Sequence, residues 1–224
     1  MKLLAFDTAS EWCSAALWID GVVSFRAVHA GQKHSELLTP MLGELLAEAG
    51  LNYRQLDGLA FGCGPGSFTG LRIACGVAQG LALGADLPVL GVSTLEALAE
   101  EAGEGADEVL ACLDARMNEV YAGLYRREGS GWRALAGPVV CPPSLAPLLG
   151  GAGCIGAGPG FAAYPALRER MQGRLARIVA DAIPHARGIV KLAAPRFTAG
   201  EFGAPETAEP VYVRDQVALK ISER

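Results

Sequence analysis

Gly62-Cys63-Gly64-Pro65-Gly66-Ser67-Phe68-Thr69-Gly70-Leu71-Arg72, running on to Gly84, is the stretch whose reading decides this chain. A short apolar strand, Gly58 to Gly62, feeds a glycine-rich loop, and the loop opens a helix over about Thr69 to Leu83. Ser67 or Thr69 is placed to cap that helix. Free backbone N–H groups ahead of a helix suit an anion. No Gly-Lys-Ser/Thr follows, so this is not a Walker loop. It is not a dinucleotide fingerprint either, because its strand is not the first and Pro65 removes one N–H. Two readings remain: an anion cradle, or a strand-to-helix turn whose glycines supply unusual φ.

The helix itself carries a second pattern. Gly76, Gly80 and Gly84 are spaced by four, and so are Ala74, Ala78 and Ala82. Residues four apart stack on one helix face. Each glycine costs about 1 kcal/mol relative to alanine. A close contact would offset that cost, either inside the chain or at an intermolecular interface shared with the helix of Leu37 to Leu46.

Upstream, Lys2–Phe6 reads as a strand ending at Asp7, Trp12–Ile19 as a second, and Val22–Val28 as a third after the hairpin signal Asp20-Gly21. Leu37, Leu38, Met41, Leu42, Leu45 and Leu46 recur at helical spacing, with Thr39-Pro40 as a start or a bend. Pro88–Val92 and Thr94–Ala102 complete the order βββαβαβα. Gly103–Asp107 reads as a lobe boundary, giving lobes of residues 1–103 and 104–224. The second lobe begins as the first does. Leu3–Asp7 matches Leu110–Asp114, and Asp7 to Asp114 has the same offset as Leu17 to Leu124. One strand–Asp–strand hairpin per lobe is the layout of the duplicated, two-lobed α/β fold of the actin/Hsp70 (ASKHA, ribonuclease H-like) group. Further on, Pro138–Pro147 reads as irregular, Cys154–Gly156 as a strand, Gly156–Gly160 as a tight turn, and Phe161–Gln172 and His185–Ala194 as helices. Ala199–Glu209 reads as a loop and Pro210–Arg214 as extended, leading to a polar C-terminus; the last residues are expected to pack back on the first lobe.

With 224 residues, 51% of them apolar, the chain can bury two cores of about 100 residues each. A net charge of −5 argues against a main grip on nucleic acid, whose affinity rests on phosphate contacts. Six scattered cysteines without a Cys-x-x-Cys pair suit a reducing cytosol. The N-terminal apolar run is too short for a signal peptide, and Ile73–Leu83 is too short for a membrane span. The expectation is a cytoplasmic protein with no membrane contact.

Candidate chemistry is sparse. Asp7-Thr8-Ala9-Ser10 could hold phosphate, through Asp7, Thr8 and Ser10, or be a hairpin whose side chains bond their own backbone. There are three histidines, His29, His34 and His185, with no His-x-x-x-His and no Cys/His cluster at ligand spacing. No metal is therefore expected. Gly-x-Ser-x-Gly is absent, and His34-Ser35-Glu36 reads as a helix start rather than a catalytic group.

The run Gly62–Arg72 resembles the TsaB (YeaZ) family. So do Phe6–Ser10, His34–Leu38, Gly76–Ala82, Gly91–Leu95, Asp114–Tyr121 and Tyr212–Asp215. The resemblance implies the actin/Hsp70-like fold and a part in making threonylcarbamoyladenosine beside the tRNA anticodon. It implies a catalytic paralogue, TsaD, as partner, with TsaE joining and threonylcarbamoyl-adenylate from TsaC as donor. In that paralogue the segment equivalent to Val92–Leu98 carries a His-x-x-x-His metal pair; here those positions fall on Thr94 and Leu98, which cannot replace two imidazoles. That loss also argues against an older glycoprotease label.

The resulting expectation is a non-catalytic subunit. Its interface would be Leu38, Met41, Leu45, Arg72, Gly76, Gln79, Gly80 and Leu83. It would self-associate to a homodimer when alone and meet tRNA only through the complex. No cofactor is assigned to the chain, with ATP placed at the level of the complex. The alternative is a small ATP-binding phosphotransferase or ATPase using Asp7, Thr8, Ser10 and the Gly156–Gly160 turn. Proteolysis by the chain alone is a third, weaker idea.

Overall fold

The computed structural model describes residues 1–148 and 153–214. Asp215 of the last motif and the polar C-terminus beyond it lie outside the described residues. The first five strands are β1 (Lys2–Asp7), β2 (Trp12–Ile19), β3 (Val22–His29), β4 (Gly58–Gly64) and β5 (Val89–Ser93), in the sheet order β3-β2-β1-β4-β5. β1, β2 and β3 form an antiparallel meander, and β1, β4 and β5 run parallel. Asp20 and Gly21 turn the hairpin with φ of 49° and 97°, the positive values that such a two-residue turn needs.

The second sheet repeats the first. Its strands are β6 (Glu108–Asp114), β7 (Val120–Glu128), β8 (Gly131–Cys141), β9 (Ile155–Ala157) and β10 (Arg177–Val179), in the order β10-β9-β6-β7-β8. Again three strands are antiparallel and the remaining pairs parallel. The α/β fold is thus duplicated and two-lobed, in the actin/Hsp70-like arrangement.

Three helices lie in the first half: α1 (His34–Glu48), α2 (Phe68–Ala85) and α3 (Thr94–Ala102). Among the described residues of the second, three α-helices follow: α4 (Gly160–Ala163), α5 (Pro165–Arg170) and α6 (Ala186–Thr198). β1 shows how the layers form. Leu4 and Phe6 face one core with α1 and α2, while Leu3 and Ala5 face another built from α3, α6 and residues of β6. A strand buried on both faces reads as continuously apolar, as Leu3–Phe6 does. A third core, with Phe161 and Leu167, covers the far face of the second sheet. α3 and α6 therefore lie between the sheets, with α1 and α2 outside the first and α4 and α5 outside the second.

Several expectations need correction. α1 starts at His34, as the reading of His34-Ser35-Glu36 as a helix start has it, with Lys33 ahead of it giving no side-chain cap; only the alternative start at Thr39-Pro40 is corrected, because the helix runs through Pro40. β8 continues through Pro138 to Cys141, in place of the irregular segment expected there; β8 is an edge strand, which tolerates a missing N–H. The helix expected over Phe161–Gln172 breaks at Tyr164, which Pro165 holds extended. β10, three residues long, carries no strand signal of its own in the sequence. α2 is 18 residues long, and by length and composition alone it would reach across a bilayer, as the shorter Ile73–Leu83 run would not.

Candidate functional site

The glycine-rich loop and the Asp7–Ser10 turn form one packed unit. A side chain on Gly62 would meet Asp7 Oδ1 at 1.8 Å, one on Gly66 would meet the Ala9 carbonyl at 2.6 Å, and one on Gly70 the Thr8 carbonyl at 1.9 Å. The glycines let the end of β1 lie against β4 and the start of α2. One backbone and one side-chain hydrogen bond fix the contact: Ser67 N–H donates to the Ala9 carbonyl at 2.8 Å, and Thr8 Oγ1 donates to the Gly70 carbonyl at 2.6 Å. Ser67 caps α2, its hydroxyl accepting from Gly70 N–H at 3.4 Å. Of the two readings of the loop, the strand-to-helix turn fits.

Asp7 and Thr8 are fully buried. Ala9 N–H donates to Asp7 Oδ2 at 3.2 Å, and Asp7 Oδ1 finds no partner among the described residues. Burial pushes the Asp7 carboxyl up to about 7, against the opposing Ala9 hydrogen bond. The expectation of a phosphate turn built on Asp7 and Thr8 is corrected: their polar atoms point into protein. Ser10 alone is partly exposed, and its hydroxyl accepts from Trp12 N–H at 3.2 Å.

On α2 the two small-residue rows separate cleanly. Ala74, Ala78 and Ala82 are fully buried on the side facing β4. A side chain on Gly76, Gly80 or Gly84 would meet none of the described residues within 4 Å. Among the described residues there is no close intrachain contact of the kind considered for these glycines. They continue an outward row that begins with Phe68, 54% exposed, and Arg72, whose guanidinium lies 3.9 Å over the Phe68 ring. Leu83, 76% exposed, flanks the row, and Gln79 is half-buried. Leu38, Met41 and Leu45 are corrected out of the interface. All three are buried in the core against the first sheet, because they form the apolar stripe that α1 turns inward.

A cleft of about 1180 Å³ opens between the lobes, lined among others by Ser10, Ser67, Asp114, Arg116, Pro159 and Arg214. Asp114 is engaged: its Oδ1 accepts from Arg116 N–H at 2.8 Å and from the Tyr164 hydroxyl at 2.6 Å. The Gly156–Gly160 turn is also a packing feature, since side chains on Gly158 and Gly160 would strike Cys112. Burial raises the thiols of Cys13, to about 12, and of Cys63 and Cys154, to about 11, so none is a ready thiolate. Thr94 and Leu98 are fully buried, and the Thr94 hydroxyl donates to the Pro65 carbonyl.

Residues 27–153, more than half the chain, match the family model described as TsaD: tRNA N6-adenosine threonylcarbamoyltransferase. The tRNA threonylcarbamoyladenosine biosynthesis protein TsaB of Escherichia coli (strain K12) is 41% identical, covering 98% of this chain and 97% of its own. The chain belongs to the TsaB family. A TsaB of Haemophilus influenzae is 39% identical over 98% of this chain and 96% of its own. The solved structure of YeaZ from Pseudomonas aeruginosa superposes with a TM-score of 0.88 at 41% identity, covering 94% of this chain and 99% of that one. A second Pseudomonas aeruginosa structure, named for its similarity to peptidase YeaZ, gives 0.89 at 40% identity, covering 95% and 99%.

Four of the seven TsaB motifs gather at two places. Phe6–Ser10 and Gly62–Arg72 make the packed turn. Asp114–Tyr121 and Tyr212–Arg214 meet across the cleft, where Arg214 pairs with Glu119. Within Ala199–Glu209, which reads only as a loop in the sequence, Ala208 lies on α2, its carbonyl accepting from Cys75 Sγ at 2.9 Å and Gln79 Nε2 at 2.8 Å. Phe68 is a further member of the outward row that the expected interface lacked, although it stands four residues before Arg72.

Proposed function

We propose that this TsaB-family chain is a non-catalytic subunit that docks a TsaD-type catalytic subunit through the outer face of α2. With TsaE, it would thereby support threonylcarbamoyl transfer to tRNA. The open glycine row on α2 carries the proposal. Three glycines that pack against none of the described residues destabilise the isolated helix. On an outward face they let a second helix approach unusually close, as small residues do at tight helix–helix contacts. The chain matches the TsaD model across residues 27–153, which include α1 and α2. A TsaD-type partner of related fold would bring a comparable helix pair, which favours a pseudo-symmetric contact. The same face would pair two copies into a homodimer when the partner is missing. The acidic charge leaves the grip on tRNA to the partner, and ATP belongs to the complex in a cytoplasmic setting.

The test is a calorimetric titration of wild type and Gly80→Leu with the TsaD subunit. Gly80→Leu should keep its thermal transition and lose at least tenfold in affinity. An unchanged affinity rejects the α2 face. The ATPase reading is weakened by the burial of Asp7 and Thr8, and a flat titration with millimolar Mg-ATP would dispose of it.

A further inference from the structure

We infer that Ala208–Arg214 is a strap that latches the two lobes across the cleft, and that docking on α2 releases it. The second half rests on the docking reading above; the first does not. The strap has anchors on both lobes. On the first lobe, Cys75 Sγ and Gln79 Nε2 both donate to the Ala208 carbonyl. Val211 N–H donates to the Cys63 carbonyl at the end of β4, at 2.7 Å. The Val211 carbonyl lies 2.6 Å from where a side chain on Gly64 would begin, so Gly64, at φ 120°, leaves room for the strap backbone. The Tyr212 hydroxyl accepts from Arg72 Nε at 3.0 Å, and its ring lies 5.5 Å from that of Phe68. On the second lobe, Arg214 pairs with Glu119, reaches Met117 Sδ at 3.4 Å and lies 6.0 Å from the centre of the Tyr121 ring.

Seven residues thus tie α2 and β4 of one lobe to the β6–β7 turn of the other. They do so at the cleft, while α3 and α6 join the lobes between the sheets. Two of the first-lobe anchors, Phe68 and Arg72, are also members of the docking row, and a third, the half-buried Gln79, lies beside it. A partner side chain that takes Arg72 or covers Phe68 must compete with Tyr212. Docking then favours the state in which the strap has let go, and the cleft is free to open. By linkage, a chain whose strap is already cut should bind the partner more tightly.

The latch is tested on the isolated chain by hydrogen exchange at the Val211 amide and by the alkylation rate of Cys75, read by peptide mass. Arg214→Ala cuts the second-lobe anchor, and Glu119→Gln cuts it from the other side. Both should speed Val211 exchange at least tenfold and Cys75 alkylation several-fold, with the thermal transition retained. Unchanged protection in both folded variants overturns the latch. Release in Glu119→Gln only also overturns it, because Arg214→Ala removes the same pair together with the contacts to Met117 and Tyr121. The coupling is tested by titrating the TsaD subunit: Arg214→Ala should bind at least threefold more tightly than wild type. Equal or weaker binding overturns the coupling while leaving the latch to the exchange data. Failure of wild type itself to bind overturns the docking reading and the coupling together, and again leaves the latch standing or falling on the isolated chain.

Discussion

The carboxyl of Asp7 fills the space left by the missing side chain of Gly62: a Cβ there would lie 1.8 Å from Asp7 Oδ1. β1 and β4 are parallel neighbours, so the two residues meet at the ends of paired strands. Gly62→Ala should therefore destabilise the chain by about 1–3 kcal/mol, the range for overpacking a filled site. Asp7→Ala makes room, so the double variant should lose less than the two single losses added together. Urea midpoints of the four proteins measure this coupling. Strict additivity would mean that the two side-chain positions do not touch in solution.

The same burial makes stability depend on pH. Asp7 is raised from an ordinary 3.8 to about 7, so between these values the folded chain holds a proton that the unfolded chain has lost. The stabilisation is fully present below about pH 4 and is lost as pH rises through about 7. A shift of this size corresponds to roughly 4 kcal/mol. Asp7→Asn, which cannot ionise, should flatten this fall and be more stable than wild type at pH 8. Chemical denaturation at pH 5 and pH 8 reads the difference, and an equal slope in both proteins would rule out Asp7 as its source.

Much of this architecture is legible in the sequence because its signals are local. The Asp20-Gly21 turn, the apolar strand Leu3–Phe6 and its echo at Leu110–Leu113 each depend on a few adjacent residues. The orientation of helices is less legible. Leu38, Met41 and Leu45 and the Gly76–Gly84 row both have helical spacing, and spacing alone does not say which stripe meets the sheet. The answer lies in volume: leucines fill the space over β2, while alanines at 74, 78 and 82 let α2 sit close on β4 and leave the glycines outside. Asp7 and Thr8 read as accessible because their covering residues, Gly62 and Gly70, lie more than fifty positions away. The strap is legible only as an extended Pro210–Arg214 expected to pack back on the first lobe; its tie to the second lobe is not, since Arg214 and Glu119 stand far apart in the chain.

A second buried charge gives another test. Arg196 on α6 donates to Glu96 Oε1 on α3, between the two sheets. Burial raises the Glu96 carboxyl, and Arg196 pulls it back down. Arg196→Met leaves Glu96 buried without its partner, which should cost about 3 kcal/mol at neutral pH. In that variant the Glu96 carboxyl rises further, so its stabilisation is kept at low pH and lost as pH rises. The deficit relative to wild type should shrink at pH 5. A deficit that is the same at pH 5 and pH 8 would show that lost packing, rather than the lost charge, is responsible.

Gly80→Ala separates stability from docking most directly. The added methyl meets none of the described residues of the chain within 4 Å, and Gly80 sits inside an 18-residue helix. Replacing it with alanine should stabilise the chain by about 0.5–1 kcal/mol, chiefly by restricting the unfolded state. A glycine kept only for the isolated fold would therefore be a poor choice at this position. If the row is a close-approach surface for another helix, the same methyl should weaken partner binding while raising the melting temperature. Opposite signs in thermal unfolding and in the partner titration are the expected result. A methyl that stabilises the chain and leaves partner affinity untouched would place the docking face elsewhere and leave three glycines in one helix without a physical reason.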